Sequence, residues 1–266
     1  MAEFDKYDVK KDIIEKLERR IERYIREQRM LIKDSEAEET VEEVFDHSTI
    51  MTLYKLMNAG IIGDLHGVIS AGKEARVYAA TSPGGKPLAV KIFLMKTAEF
   101  RKGRIKYILG DPRFEGIGTS GRKIIYAWAS KEFKNLKLAY EAGVYVPKPI
   151  EQERNILVME FIGENFTPAS TLKDLPRLTE HMLLQVIRQI RLLYKKAGLI
   201  HADLSEYNIF YYKRKPILFD FGQAVLVTHP NAELYLIRDV SNILNFFKSR
   251  GVATPPLDAV LEYVKG

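Results

Sequence analysis

Two short motifs constrain this chain more than any other part of its sequence. The first, HADLSEYN, occupies residues 201–208, and the second, DFG, occupies residues 220–222. They supply the carboxylates of Asp203 and Asp220 and the amide of Asn208. Because Mg²⁺ prefers hard oxygen ligands, Asn208 and Asp220 suffice as its protein ligands, while Asp203 can orient an attacking hydroxyl. The motifs therefore indicate metal-assisted phosphoryl transfer.

Each of these residues also has a structural interpretation when it is taken alone. His201 suits a core histidine, Asp203 a turn residue and Asn208 a cap. Their joint occurrence ahead of DFG favours the functional interpretation. The pattern H-x-D-x-x-x-x-N followed by D-F-G resembles the catalytic and metal loops of protein kinases, although Ala202 stands where those proteins have arginine.

Length and composition limit the class of protein. A chain of 266 residues can form one large domain or two lobes. Its hydrophobic content of 46% and charged content of 29% are typical of folded soluble proteins. The lack of cysteine excludes disulfides and thiolate metal sites. An acidic amino terminus and the lack of a long apolar run favour a cytoplasmic protein without a membrane partner.

Charge is distributed unevenly along the chain. Residues 1–46 contain ten basic and fifteen acidic residues, whereas residues 96–123 contain eight basic and three acidic ones. Residues 96–123 therefore have a net charge of +5, opposite in sign to the −5 of residues 1–46. This basic segment is predicted to be the anion-binding surface, although a solvated insertion has the same composition.

The hydrophobic patterns change from strand-like to helical along the chain. Helices are predicted at residues 8–32, 48–56, 124–142, 179–197 and 231–249, and strands at 77–80, 88–93 and 155–161. This order predicts an α+β, two-lobed protein-kinase-like fold with an antiparallel-sheet small lobe and a short helical large lobe. The predicted units are a helical extension (1–65) packing on the kinase domain, a small lobe (66–163) with a basic insertion (95–123), and a truncated helical large lobe (164–266).

A phosphate-binding loop is predicted immediately before the first strand. The G-x-G-x-x-G-x-V template of kinases falls on residues 70–77, where Gly72 is its one remaining glycine. Lys91 follows in LAVK, which has the form of the strand that carries the kinase lysine. A buried ammonium needs an anionic partner, and Glu132 on the next helix is the best candidate. The alternative is that Lys91 extends to solvent at a sheet edge.

Further motifs make the resemblance more specific. Together with HADLSEYN, the segments SAGKEA (70–75), MEFIG (159–163) and HPNA (229–232) resemble the RIO family of atypical serine protein kinases. The resemblance is to the first, archaeal-like branch, whose members lack an amino-terminal winged helix. It covers roughly residues 48–250 and departs at Ala71, where threonine is usual.

The resemblance implies the roles of individual residues. Asp203 would be the catalytic carboxylate, and Asn208 and Asp220 would bind magnesium. Lys91 and Glu132 would form the phosphate-positioning pair, with ATP and Mg²⁺ as cofactors and Mn²⁺ as an alternative metal. The other nucleotide-binding residues implied are Ser70, Gly72 and Lys73 at the triphosphate, Glu74 and Val77 beside them, the backbone of Glu160 and Ile162 at adenine, and Met159 guarding the pocket.

The activity implied is that of an autophosphorylating serine kinase, an ATPase, or both, acting in maturation of the small ribosomal subunit. Its partners would be a pre-small-subunit particle, with its rRNA and proteins, and a serine of a protein or of the enzyme itself. No A-P-E sequence follows DFG, so the acceptor stays open between protein, self and water, and the oligomeric state stays open too.

Two alternatives remain from the sequence. A small-molecule phosphotransferase shares H-x-D-x-x-x-x-N but usually has a different metal loop and a longer large lobe. A non-catalytic, ATP-gated ribosome assembly factor would bind the nucleotide without turning it over.

Overall fold

The computed structural model describes residues 46–94, 107, 111–114 and 121–266. The helix predicted at 8–32 and most of the basic insertion at 95–123 lie outside the described residues. Among those described, no helix has both the length and the apolar character needed to cross a membrane.

The elements follow the predicted order, with a strand-rich first half and a helical second half. In chain order they are α1 (His47–Asn58), β1 (Asp64–Ala71), β2 (Ala75–Thr81), β3 (Pro87–Phe93), a 3₁₀ turn (Pro112–Phe114), α2 (Arg122–Glu141), β4 (Pro149–Glu153), β5 (Ile156–Glu160), β6 (Gly163–Glu164), β7 (Thr167–Pro168), a 3₁₀ turn (Leu172–Asp174), α3 (Glu180–Lys195), β8 (Leu199–Ile200), β9 (Ile209–Tyr212), β10 (Lys215–Leu218), β11 (Val225–Leu226), α4 (Ala232–Ser249) and α5 (Leu257–Lys265).

The small lobe is a five-stranded antiparallel sheet in the order β1-β2-β3-β5-β4. Lys91 lies on the central strand β3, opposite Val77 of β2 and Leu157 of β5. Both neighbours are hydrogen-bonded strands, so the alternative of a lysine extending to solvent at a sheet edge is wrong.

Helix α1 covers one face of this sheet. The Asp46 side chain caps the helix by accepting a hydrogen bond from the backbone N–H of Thr49 at 2.8 Å. The helix buries Leu53 and Leu56 against sheet residues that include Val90 and Ile92. We call this group of buried side chains the outer cluster.

Helix α2 and the large lobe share a second, larger group of buried side chains, which we call the main cluster. Trp128 and Ile125 of α2 lie in it with Phe221 and with apolar residues of α3 and α4. Phe93 and Leu157 bring the opposite face of the sheet into the same cluster. The cleft between the sheet and the large lobe is therefore bordered by α2.

Candidate active site

A cavity of about 520 Å³ lies in this cleft and collects the predicted nucleotide and metal residues. Its walls come from β1, β2 and β3 on one side and from residues 201–208 and 219–224 on the other. We call these two segments the catalytic loop and the metal loop, after the kinase motifs that they resemble. Asp203 is adjacent to it through Gln223, which lines the cavity. The predicted residues that line the cavity are Ser70, Gly72, Lys73, Glu74, Val77, Lys91, Glu132, Met159, Glu160, Ile162, Asn208 and Asp220.

Lys91 is the electrostatic centre of the cavity. Its Nζ lies 2.8 and 2.9 Å from the two carboxylate oxygens of Glu132 and 3.0 Å from Oδ1 of Asp220. Burial alone would lower the pKa of Lys91, but the two carboxylates more than offset this effect and raise it above its ordinary value. The ammonium therefore stays charged in the cavity, as a phosphate-binding group requires.

Two buried side chains of α2 hold the metal loop from behind. Lys131 donates hydrogen bonds to the carbonyls of Gly222, at 3.2 Å, and Ala224. Asn135 donates to the carbonyls of Phe221 and Ala224 at 3.1 and 2.9 Å. Burial lowers the pKa of Lys131 to about 7. We call this pair of side chains the α2 clamp.

Close packing against α2 explains why the third residue of the DFG motif is glycine. A Cβ at Gly222 would lie 2.9 Å from Nε1 of Trp128 and 3.2 Å from Oε2 of Glu132. Because α2 and the metal loop approach this closely, a larger residue would displace one of them. Glu132 is thus held beside both Lys91 and the loop that carries Asp220.

Residues 111–114, a described part of the basic insertion, are tied to the same helix. Arg113 donates to both carboxylate oxygens of Asp111 at 2.9 and 2.7 Å, and its Nη2 donates to Oδ1 of Asn135 at 2.8 Å. Burial would raise the pKa of Asp111, but the hydrogen bonds and charge of Arg113 lower it overall. Residues 111–114 are therefore held against α2 by an ion pair that contacts the α2 clamp.

Helix α4 supports the catalytic loop. The buried carboxylate of Asp239 accepts hydrogen bonds from the backbone N–H groups of Ala202 and Leu204 at 2.7 and 3.0 Å. Ala202 has a positive φ of 63°, and Arg238 donates to its carbonyl. Burial raises the pKa of Asp239 to about 7, although its two backbone hydrogen bonds oppose the shift. The contacts hold the backbone on both sides of Asp203.

Hydrogen bonds also join the catalytic loop to the metal loop. Asn208 donates its Nδ2 to the carbonyl of Asp203 at 2.8 Å, while the N–H of Phe219 donates to the carbonyl of Asn208 at 3.0 Å. The His201 ring lies 2.9 Å through Nε2 from the Phe219 carbonyl, and burial lowers the pKa of His201 to about 4. His201 is therefore neutral near pH 7 and donates to this carbonyl.

Backbone groups also shape the cavity, both near Gly72 and near Ile162. Gly72 closes the turn between β1 and β2 by donating its N–H to the carbonyl of Ala75 at 3.0 Å. Ile162 accepts through its carbonyl from the N–H of Ala169 at 3.0 Å, so its amide is the group that it would offer to adenine. Met159 lies in β5 opposite Ala89, and both side chains line this part of the cavity.

Sequence reasoning missed the residues that support the site. Asp239 and Lys131 each occupy the buried face of an otherwise apolar helical pattern, and a charged residue there is a detectable signal because burial requires a partner. Gln223 carries no such signal, because glutamine is a mostly exposed residue type and its position after DFG does not indicate a partner. Neither Asn135 nor Arg238 stands out from the sequence.

Comparisons with known proteins agree on one family. The model of the RIO domain matches residues 76–260. The chain is 40% identical to the RIO-type serine/threonine-protein kinase Rio1 of Haloferax volcanii, over 99% of this chain and 90% of that protein. It is 39% identical to the human serine/threonine-protein kinase RIO1, over 88% of this chain and 42% of the human protein.

A solved structure is also similar. The Rio2 kinase-ADP/Mg²⁺-phosphoaspartate complex from Chaetomium thermophilum has a TM-score of 0.62 and 28% sequence identity. The likeness covers 80% of this chain and 70% of that one. The expected kinase-like fold is thereby confirmed.

Proposed function

This chain belongs to the RIO domain family, and we propose that it is a RIO-type serine/threonine-protein kinase that uses ATP and Mg²⁺. The observation that carries the proposal is the cavity in which Lys91 contacts both Glu132 and Asp220 beside the catalytic loop. The relative solved with ADP and Mg²⁺ supports the same nucleotide and metal. Mn²⁺ is an alternative metal.

The nucleotide would lie along the cavity with its phosphates at Lys91. The charge of Lys91 stabilises negative charge that develops on the γ-phosphoryl group. The loop residues Ser70, Gly72 and Lys73 would line the triphosphate. Glu74 and Val77 would lie beside it, and Met159, Glu160 and Ile162 would border adenine.

The residues available to a metal fit Mg²⁺. The Asp220 side chain is 48% exposed and lines the cavity. Asn208 uses its Nδ2 to hold the Asp203 carbonyl, so its amide oxygen is the atom for a metal. One carboxylate and one amide oxygen suit a cation whose other ligands are mostly supplied by phosphate and water. When bound there, Mg²⁺ would neutralise phosphate charge.

Asp203 would align the acceptor. Its backbone is held by Asp239 through the neighbouring amides and by Asn208 through its own carbonyl. A carboxylate in this position can accept the hydroxyl proton as the acceptor oxygen approaches phosphorus. The acceptor that we propose is a serine of a protein substrate or of the enzyme itself, with water giving ATPase activity.

Replacement of each carboxylate tests these roles. Asp203→Ala should lower phosphoryl transfer by about 10²- to 10⁴-fold while ATP affinity stays near normal, because Asp203 aligns the acceptor. Asp220→Ala should lose both transfer and Mg²⁺-dependent ATP binding. Asp258→Ala removes an exposed carboxylate of α5 and is the control. Single-turnover transfer that survives Asp203→Ala would contradict the assignment.

We further propose a pre-small-subunit ribosomal particle as the partner and the cytoplasm as the location. The RNA contact would be the basic segment 96–123, most of which lies outside the described residues. Contacts to RNA phosphates release counterions, so the affinity for small-subunit rRNA should fall with salt at a log–log slope of about −0.7 per phosphate. The division into units 1–65, 66–163 and 164–266 remains a proposal as well.

The experiment that tests the RNA contact compares two variants, each with four positive charges neutralised. One variant changes Arg101, Lys102, Arg104 and Lys106 of the basic segment, and its control changes the exposed Lys213, Arg214, Lys215 and Lys248. The variant of the basic segment should weaken rRNA binding more than the control variant does. It should also show a smaller log–log slope of affinity against salt concentration. Equal effects would exclude the basic segment as the specific contact.

A further inference from the structure

Gln223 connects the two catalytic loops through the carboxylate of Asp203. Its side-chain Nε2 donates a hydrogen bond to Oδ2 of Asp203 at 2.9 Å. Gln223 also lines the cavity, and it follows Asp220 by three positions in the metal loop. We infer that Gln223 is a positioning residue that holds the Asp203 carboxylate in the orientation needed for transfer, an inference that rests on the proposed function.

The backbone at Gln223 is fixed on both sides by the α2 clamp. Lys131 binds the carbonyls of Gly222 and Ala224, the two residues that flank Gln223. Asn135 binds the Ala224 carbonyl as well. Because the carbonyls of both neighbouring residues are held by buried side chains, the backbone from which the Gln223 side chain extends towards Asp203 is fixed in position.

The hydrogen bond acts on a different part of Asp203 from the other contacts of the catalytic loop. Asp239 and Asn208 hold backbone groups at and around Asp203. They do not determine how the carboxylate is turned about its side-chain bonds. Gln223 binds a carboxylate oxygen itself, and a hydrogen bond to a fixed donor restricts this rotation.

The reaction shows why this orientation matters. The acceptor oxygen bonds to the γ-phosphorus, the bond from that phosphorus to the β,γ-bridging oxygen breaks, and ADP leaves. The hydroxyl proton passes to the Asp203 carboxylate. Gln223 and Asp220 lie on the same short loop. The carboxylate that would bind the metal and the carboxylate that would align the acceptor are therefore held in fixed positions relative to each other.

A neutral donor suits this position. Asp239 lies behind the catalytic loop and interacts electrostatically with Asp203, so Asp203 already has an acidic side chain near it. A glutamate in place of Gln223 would bring another carboxylate directly against Asp203. A methionine would have nearly the same length but would donate no hydrogen bond.

The test separates positioning from binding. Gln223→Met should lower kcat for transfer by about 10- to 100-fold, because a misaligned catalytic group loses this much. The KM for ATP and the Mg²⁺ requirement should stay within about twofold of the wild type. Gln223→Glu should be at least as impaired as Gln223→Met. Gln185→Met, which removes a glutamine hydrogen bond to the Arg214 carbonyl outside the cavity, should leave kcat unchanged.

A double variant and a spectroscopic measurement complete the experiment. Gln223→Met combined with Asp203→Asn should be no slower than Asp203→Asn alone, because the two residues act as one unit. In the protein labelled with ¹⁵N-glutamine, Asp203→Ala should shift the side-chain amide resonance of Gln223, whatever the activity of the enzyme.

The outcomes distinguish the two proposals. A normal kcat in Gln223→Met, or an Nε2 resonance insensitive to Asp203→Ala, would overturn the inference. So would a loss of ATP and Mg²⁺ affinity together with kcat, since displacement of the whole metal loop would have that effect. If the resonance shifts but the wild type shows no transfer that depends on Asp203, the proposed function fails while the contact stands.

Discussion

At the scale of single residues, the Lys91 ammonium joins β3, α2 and the metal loop. Its carboxylate partners come from two different elements, Glu132 from α2 and Asp220 from the loop. The side chains of Lys91 and Glu132 are only 11% and 3% exposed. Removal of either one would therefore leave the other charge buried and less well compensated.

We expect Lys91→Ala and Glu132→Ala each to raise the ATP concentration needed for turnover and to lower kcat. The double variant should lose much less than the sum of the two in free energy, because each single change already breaks the pair. ATP titrations of the three variants measure the coupling. The exposed pair formed by Lys55 and Glu153, at 2.6 Å, is the control and should have little effect. Additive losses at Lys91 and Glu132 would contradict the pairing.

His201 makes the stability depend on pH. Burial lowers the pKa of His201 in the folded protein from 6.5 to about 4. Between these values the unfolded chain binds a proton at His201 that the folded chain does not, so the contribution of His201 to the free energy of unfolding should fall as the pH drops from 6.5 towards 4. The contribution lost in this window is up to about 3 kcal/mol.

His201→Gln should reduce that slope. Glutamine keeps a donor for the Phe219 carbonyl but does not titrate in this range, although the ring contact with Phe221 is lost. Denaturant unfolding between pH 4 and 7 compares the two proteins. An unchanged slope would mean that other groups account for the acid sensitivity.

At the scale of elements, α1 should stabilise the small lobe through its buried face. Leu56 is 2% exposed within the outer cluster. Leu56→Ala should therefore lower the free energy of unfolding by about 2–5 kcal/mol, since truncation leaves a cavity. Lys55→Ala on the exposed side of the same helix should cost at most about 1 kcal/mol. Equal losses would show that α1 does not pack as described.

The elements differ in how far the sequence predicts them. The seven predicted segments that lie within the described residues, such as α3 and α4, end within a few residues of their predicted bounds. Strand β1 was missed because it is an edge strand with mixed exposure, a central Gly67 and irregular register. Short α5 was also missed. Tertiary contacts decide elements of this kind, so local pattern does not reveal them.

The residues of the site also differ in how far the sequence predicts them. The residues that would touch ATP or metal are recognisable because their chemistry demands particular side chains at fixed spacing. Asp239 and Gln223 act through other residues and are brought to Asp203 by folding. Their positions follow from packing between distant segments, which no local spacing encodes.

At the scale of the whole molecule, the buried side chains form two clusters separated by the sheet. The outer cluster joins α1 to one sheet face, while the main cluster joins α2 to the large lobe and to the other face. The cavity lies on the side of the main cluster. Helix α2 therefore connects the sheet that carries Lys91 to the metal loop.

This division has a consequence for the exchange of amide hydrogens. Among the described residues the outer cluster is the smaller one, so the sheet should open in sub-global fluctuations that leave α3 and α4 folded. Backbone amides of β2 and β3 should then exchange with deuterium before those of α3 and α4, and ATP with Mg²⁺ should slow them, because opening the sheet abolishes the binding site. Mass spectrometry of peptic fragments would measure both rates. A single common rate would mean that the two lobes unfold as one cooperative unit.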